Sequence, residues 1–275
     1  MPEPGGVVVV ASTVALFVIG YRRARARGLA PGVARALVAG PAVGALALAL
    51  LSPLDSLAHR SIAAHMAQHV LLADIAVPLL LIAFRAPIGA LAAPPTLVAG
   101  FGRARRLRRA MAWLVRPTHA VPIYALVLLG WHLGPAFEAA LHWPLLHALQ
   151  HQSFVVASVL VWWPIIEPVR RRPRHALWKL PYLFAARFAG MALAMGIAAM
   201  RSPLYSGAYG LGERWPGLDP LSDQRLGAAL MFSTDVVVLG VGLTLLFFAA
   251  ARADQGGGET PRMARPSSRE LGRAL

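Results

Sequence analysis

The sequence has no cysteine, which excludes disulfides, thiolate metal sites and thiol catalysis. It has a single lysine, Lys179, so nearly all its positive charge is arginine. Acids are scarce: 12 Asp and Glu stand against 27 Lys and Arg, a formal net charge of +15. So basic a balance raises nucleic acid as a partner. The arginines, however, are confined to short clusters between apolar runs and form no continuous basic face, so no nucleic-acid role is expected. The phosphate-binding patterns G-x-x-x-x-G-K-[ST] and G-x-G-x-x-G are both missing, which leaves NTP-driven transport within the chain unsupported. No nucleophile stands beside a base in a recognisable context, and the protein is not expected to be an enzyme. No internal repeat is visible.

What the chain has in abundance is apolar surface: 57% of its residues are hydrophobic and the mean hydropathy is +0.58. A membrane span needs about 20 apolar residues, somewhat fewer when arginines snorkel at its ends. Seven runs qualify, at roughly 6–21, 32–52, 66–84, 118–134, 148–166, 181–200 and 226–249. The connections after the first, third and fifth runs carry "YRRARARG", "RARRLRR" and "RRRPR", and the tail after the seventh carries Arg252, Arg262, Arg265, Arg269 and Arg273. Short basic loops mark the cytoplasmic side. The expected architecture is therefore an all-α, polytopic integral membrane protein, a bundle of seven transmembrane helices with the N-terminus out and the C-terminus in. It divides into a membrane domain, 1–251, and a disordered basic cytoplasmic tail, 252–275, rich in Gly, Pro and polar residues. The first run lacks a preceding basic region and a small-residue cleavage site, so a cleaved secretory signal is not expected. The segment "APIGALAAPPTLVAG", 86–100, is apolar but broken by prolines and glycines, and is read as surface-lying or re-entrant on the inner side. The arginine clusters are topology determinants first and contacts to membrane lipid headgroups second.

This topology places His59, His65, His69, His132, His142, His147 and His151 in outer loops or at the outer ends of helices, with only His119 and His175 inside. His65 and His69, four residues apart, share a helical face, and His147 and His151 repeat the spacing on another helix, with His142 five residues before. Two such pairs could converge on one ion. Thioethers lie on the same side: Met191 and Met195 share a face of the sixth run, and Met66 adjoins the first pair. Imidazole with thioether and no thiolate suits copper, with zinc as the main competitor. Core packing is the alternative role for the methionines of the sixth run. Two acids lie inside spans, Asp74 and Asp235. Asp74 sits about 13 Å deeper than His65 and about 140° around an ideal helix from His69, so it is no third ligand of the same ion. It is expected to pack beside Asp235 or to serve a proton-linked or relay role.

"HMAQHVLLADIAVPLLLIAFRAP", "LHALQHQSFVVASVLVWWPI" and "LSDQRLGAALMF" resemble, in that order, the signature stretches of the CtaG family of caa3-type cytochrome c oxidase assembly factors. The resemblance covers about 50–249. It points to His65, Gln68 and His69 with Pro78 and Pro87, then His147, His151, Trp162, Trp163 and Pro164, then Asp223 and Gln224. It implies a seven-helix protein of the bacterial cell (inner) membrane that aids oxidase formation. The implied role is copper supply, and the implied partner is the oxidase catalytic subunit or another copper-handling protein. Two other functions are open to the same residues: noncovalent haem binding between facing histidines, and copper or proton transport through Asp74 and Asp235.

Overall fold

The computed structural model describes residues 4–29, 31–169, 176–205, 207 and 218–257. Among them every regular element is helical. In chain order these are α1 (Pro4–Ala26), α2 (Val33–Leu51), α3 (Leu54–Ala58), α4 (Ile62–Ala83), α5 (Ile88–Ala92), α6 (Pro95–Arg103), α7 (Arg105–Leu114), α8 (Pro117–Trp131), α9 (Gly134–His142), α10 (Pro144–Ile166), α11 (Lys179–Ala198) and α12 (Pro220–Gly257). Six of them, α1, α2, α4, α10, α11 and α12, are long and apolar enough to cross a membrane. The seventh is α8, which reaches span length only together with α7 across a 71° bend. The protein is thus an all-helical polytopic membrane protein.

Several boundaries differ from the expected ones. The fourth run ends at Trp131 rather than 134, because His132 turns back to the Leu128 carbonyl and a new helix starts at Gly134. At 15 residues α8 is about 22 Å long, shorter than the hydrocarbon layer. The segment 86–100 does not cross: α5 packs against α1, and α6 has no buried residue. The seventh helix runs on to Gly257, six residues past the expected end of the membrane domain. The rest of the expected tail, 258–275, the "RRRPR" loop and His175 lie outside the described residues.

At the centre stands α4, packed against α2, α10 and α12, while α8 and α11 close the far side. Small residues make these approaches close. The buried stripe of α2 is Ala39, Ala42, Ala45 and Ala49, and a Cβ on Gly227 of α12 would lie 3.1 Å from Met66 Cγ. On the outside α1 exposes Val8, Val14, Leu16 and Val18, as a lipid-facing helix must.

The two ends of the bundle are built differently. At the arginine-rich end side chains tie loops to backbone carbonyls: Arg35 donates to the Arg85 and Ala86 carbonyls, and Arg85 Nε to Glu167 O at 3.1 Å. Lys179 closes the C-terminus of α10, donating to Ile165 O (3.0 Å) and pairing with Glu167 (3.2 Å), where cationic charge complements the helix dipole. At the histidine-rich end one carboxylate fixes the start of α4. Asp223 accepts from Ile62 N (2.7 Å), Ala63 N (3.1 Å) and Ser61 Oγ (2.7 Å), while Ser61 Oγ accepts from Ala64 N. Helix α12 thereby caps α4 across a long sequence separation, satisfying donors that a helix start leaves open. Replacing Asp223 with Ala is expected to lower stability by about 1–3 kcal/mol, with Asp223→Asn intermediate. Thermal unfolding of the detergent-purified protein, followed by circular dichroism, measures both.

Candidate metal centre

His65 and His69 occupy the first two turns of α4, and His147 and His151 the first two turns of α10. The packing of these helices brings both pairs together. Ring centroids are 4.4 Å apart for His65–His69, 5.2 Å for His69–His151, 4.2 Å for His151–His147 and 5.3 Å for His147–His65, with His65–His151 across the set at 6.4 Å. Imidazoles bound to one ion through ordinary metal–nitrogen bonds place their centroids about 3.2 Å from it, hence about 4.5–5.3 Å from a neighbour and about 6.4 Å from a ring directly opposite. The separations of 5.2, 5.3 and 6.4 Å match that arrangement, while the two pairs within a helix, at 4.4 and 4.2 Å, are closer than it allows, so the rings surround one place without being arranged about an ion.

The rings are less exposed than expected. Their position at the outer end of the bundle suggested open histidines, yet His65 is 0% and His69 7% exposed, because both face inward onto α9 and α10. Phe137 and Phe154 pack against them at 4.8 and 4.6 Å. Both nitrogens of His65 and of His69, and Nε2 of His147 and His151, are buried without a hydrogen-bond partner. Each such atom costs roughly 1–3 kcal/mol of desolvation, and so many at one place call for a ligand. The donors are not yet poised. Several rings meet edge to face, at 80° and 89°, and among the described residues no three His, Asp or Glu groups stand in ready coordination geometry, so a shared ion requires the rings to turn.

The polar residues singled out around the histidines hold backbone. Gln68 donates to Ala49 O (2.9 Å) and Asp55 Oδ1 (2.8 Å), fastening α4 to the end of α2 and to α3. Gln224 accepts from Leu204 N (2.7 Å) and donates to Ile197 O (3.2 Å), fastening α12 to the end of α11, while Asp223 caps α4. These three are the frame that sets the ring positions. Gln150, unremarked in the sequence, lies beside His65 without reaching hydrogen-bond geometry.

Two expected ligands fall elsewhere. His142 is exposed, its Nδ1 turned to Glu138 O, and Met195 is 61% exposed on the outer face of α11. The thioethers near the rings are instead Met66 and Met231, both buried, which line a small cavity with His69. His132 lines it too. Burial pushes its pKa down to about 4, against the raising effect of its bond to Leu128 O.

Below lies a charged layer. Arg187 of α11, fully buried, donates to Asp74 and to the Tyr124 hydroxyl, and its Nε stands 3.2 Å from Asp235. Asp74 and Asp235 therefore do share a site, as expected, but through a guanidinium that periodicity did not single out. The visible signal was an arginine well inside the sixth apolar run. Asp74 reaches this place because Leu71–Ala76 is π-helical: the wider turn lessens the angle between His69 and Asp74, and both come to line the same small cavity. Room for Asp235 comes from Gly190, where a Cβ would sit 2.2 Å from Oδ2.

Compared with known proteins, residues 15–253 match the family model described as cytochrome c oxidase caa3 assembly factor (Caa3_CtaG). None of the curated proteins and none of the solved structures matches the chain.

Two outcomes follow from this geometry. Gly190→Ala is expected to cost about 1–3 kcal/mol by displacing the Asp235 carboxylate, and much less in an Asp235→Ala background; a double-mutant cycle of thermal stabilities reads the difference. Because folding keeps His132 neutral, its contribution is fully present above the unfolded value of about 6.5 and is lost as pH falls toward 4. A pH series of melting temperatures should fall less steeply over that window for His132→Phe than for the wild type.

Proposed function

Because the chain belongs to the cytochrome c oxidase caa3 assembly factor family, we propose that it binds copper through His65, His69, His147 and His151 and passes it to the oxidase catalytic subunit, working in the bacterial inner membrane. The observation that carries this reading is the convergence of two i, i+4 histidine pairs whose buried nitrogens have no other partner. Four imidazoles suit copper or zinc.

A carrier must also release its cargo, and the set is open on one side. His147 and His151, with Asp55 and His59, line a cavity of about 470 Å³ that continues between α1, α2, α4 and α10 as far as Leu80. The exposed His59 stands 5.4 Å from His147, so an ion has imidazole within reach at the exit. A partner approaching from this side meets the rings without any helix being displaced.

The same geometry argues against the other two functions. In a bis-histidine haem with His65 and His151 as axial ligands, His69 and His147 would occupy the plane the macrocycle needs. For a cation passing the level of Asp74 and Asp235, Arg187 presents a fixed positive charge, bonded to Asp74 and ion-paired with Asp235.

Metal analysis of purified protein after copper loading tests the proposal. Wild type, His142→Ala and Met195→Leu should each retain copper, and His65→Ala/His69→Ala should lose at least nine-tenths of it. Equal copper in the double variant and the wild type removes the assignment.

A further inference from the structure

Beneath the four rings is a cavity of about 30 Å³, the room of one water or one small ion. It is walled by His69 and Met66 of α4, His132 at the end of α8, and Met231 of α12. We propose that this cavity is a second binding site, specific for monovalent copper. The inference rests on the copper-handling reading of the rings above it.

Four observations meet here. The nitrogens of His69 and the Nε2 of His132 are buried without partners. His132 Nδ1 lies 2.8 Å from Leu128 O, so it carries the proton and donates, which leaves the Nε2 lone pair free; a backbone carbonyl fixing the far nitrogen is the common support of a metal-ligating histidine. Met66 and Met231 are 2% and 8% exposed, and thioether sulfur is a soft ligand that favours Cu(I) over Cu(II) and zinc. The cavity floor includes Asp74 and Asp235, two carboxylates against the single guanidinium of Arg187, so with both acids ionised the wall carries a formal charge of −1 and complements a monovalent cation.

A water would satisfy the imidazoles but give nothing to the two sulfurs, which otherwise only pack in the apolar core. The four-ring set above has nitrogen donors only, so the two places differ in kind: the rings suit the oxidised ion, and the cavity selects the reduced one. His69 belongs to both and connects them.

The test uses the full chain in detergent under anaerobic, reducing conditions, with Cu(I) supplied against a chromophoric Cu(I) chelator and the bound metal examined by X-ray absorption. The wild type should show sulfur in the copper coordination shell. Met66→Leu/Met231→Leu, which conserves core volume, should lose that sulfur and hold Cu(I) at least tenfold more weakly, while its uptake of Cu(II) under oxidising conditions stays unchanged and shows that it has folded. His147→Ala should do the reverse, losing Cu(II) and keeping sulfur-bound Cu(I). A wild-type spectrum with nitrogen ligands alone, or equal Cu(I) affinity in the double-methionine variant, marks a cavity holding only water and overturns the proposal; the wild-type spectrum decides even if that variant does not fold. Loss of Cu(II) binding by the wild type, with sulfur-bound Cu(I) intact, would instead refute the ring site alone.

Discussion

One guanidinium organises the interior. Arg187 reaches α4 through Asp74, α8 through Tyr124 and α12 through Asp235, so four helices far apart in sequence meet on a single planar group. Inside a bilayer, where no water can take up an unpaired charge, each of these side chains needs the others. The layer is therefore cooperative. Removing one carboxylate leaves a buried cation underpaired, and removing the arginine leaves two like charges facing each other. The small cavity and the histidines above it rest on this floor, and Asp223 fixes the outer end of α4 while Arg187 holds its middle.

The histidine set also shows how a membrane protein keeps polar groups at its outer end without surrendering them to solvent. Most of the imidazoles are enclosed by Phe137 and Phe154 and held in place by a frame of side chains on backbone: Gln68, Asp223 and Gln224. Such a frame fixes where the rings stand without using their nitrogens.

Much of this was legible in the sequence, for identifiable reasons. The apolar runs showed an all-helical polytopic membrane protein, because the length and polarity of a span are set by the bilayer rather than by tertiary packing; the fourth run is the one whose helix falls short of span length by itself. The i, i+4 spacing of His65/His69 and His147/His151 was legible because helix geometry alone puts such residues on one face. That the two faces meet was not, since it depends on how α4 and α10 pack. The methionines divided the other way. Periodicity puts Met195 on a stripe but cannot say that the stripe faces outward, and it passes over Met231, a lone thioether in a long apolar run whose importance comes from α4 beside it. Arg187 was in plain view inside a span, yet its two acidic partners lie on other helices. The end of α8 was misplaced because the residue that closes it, His132, folds its ring back onto the Leu128 carbonyl, which an apolar run does not reveal.

The π-helical turn at Leu71–Ala76 makes the molecule a matter of counting. Before it α4 presents imidazoles, within it a carboxylate, and the phase between the two is set by how many residues separate them. Losing Leu71, Leu72 or Ala73 would leave the chain helical on either side and the imidazoles and carboxylate chemically intact, yet it would rotate one side against the other by about 100°. Either the rings or Asp74 could then keep their register, not both. At this point of the chain an ordinary conservative exchange is a small perturbation and a silent-looking deletion of one codon is a large one, because what the turn encodes is an angle.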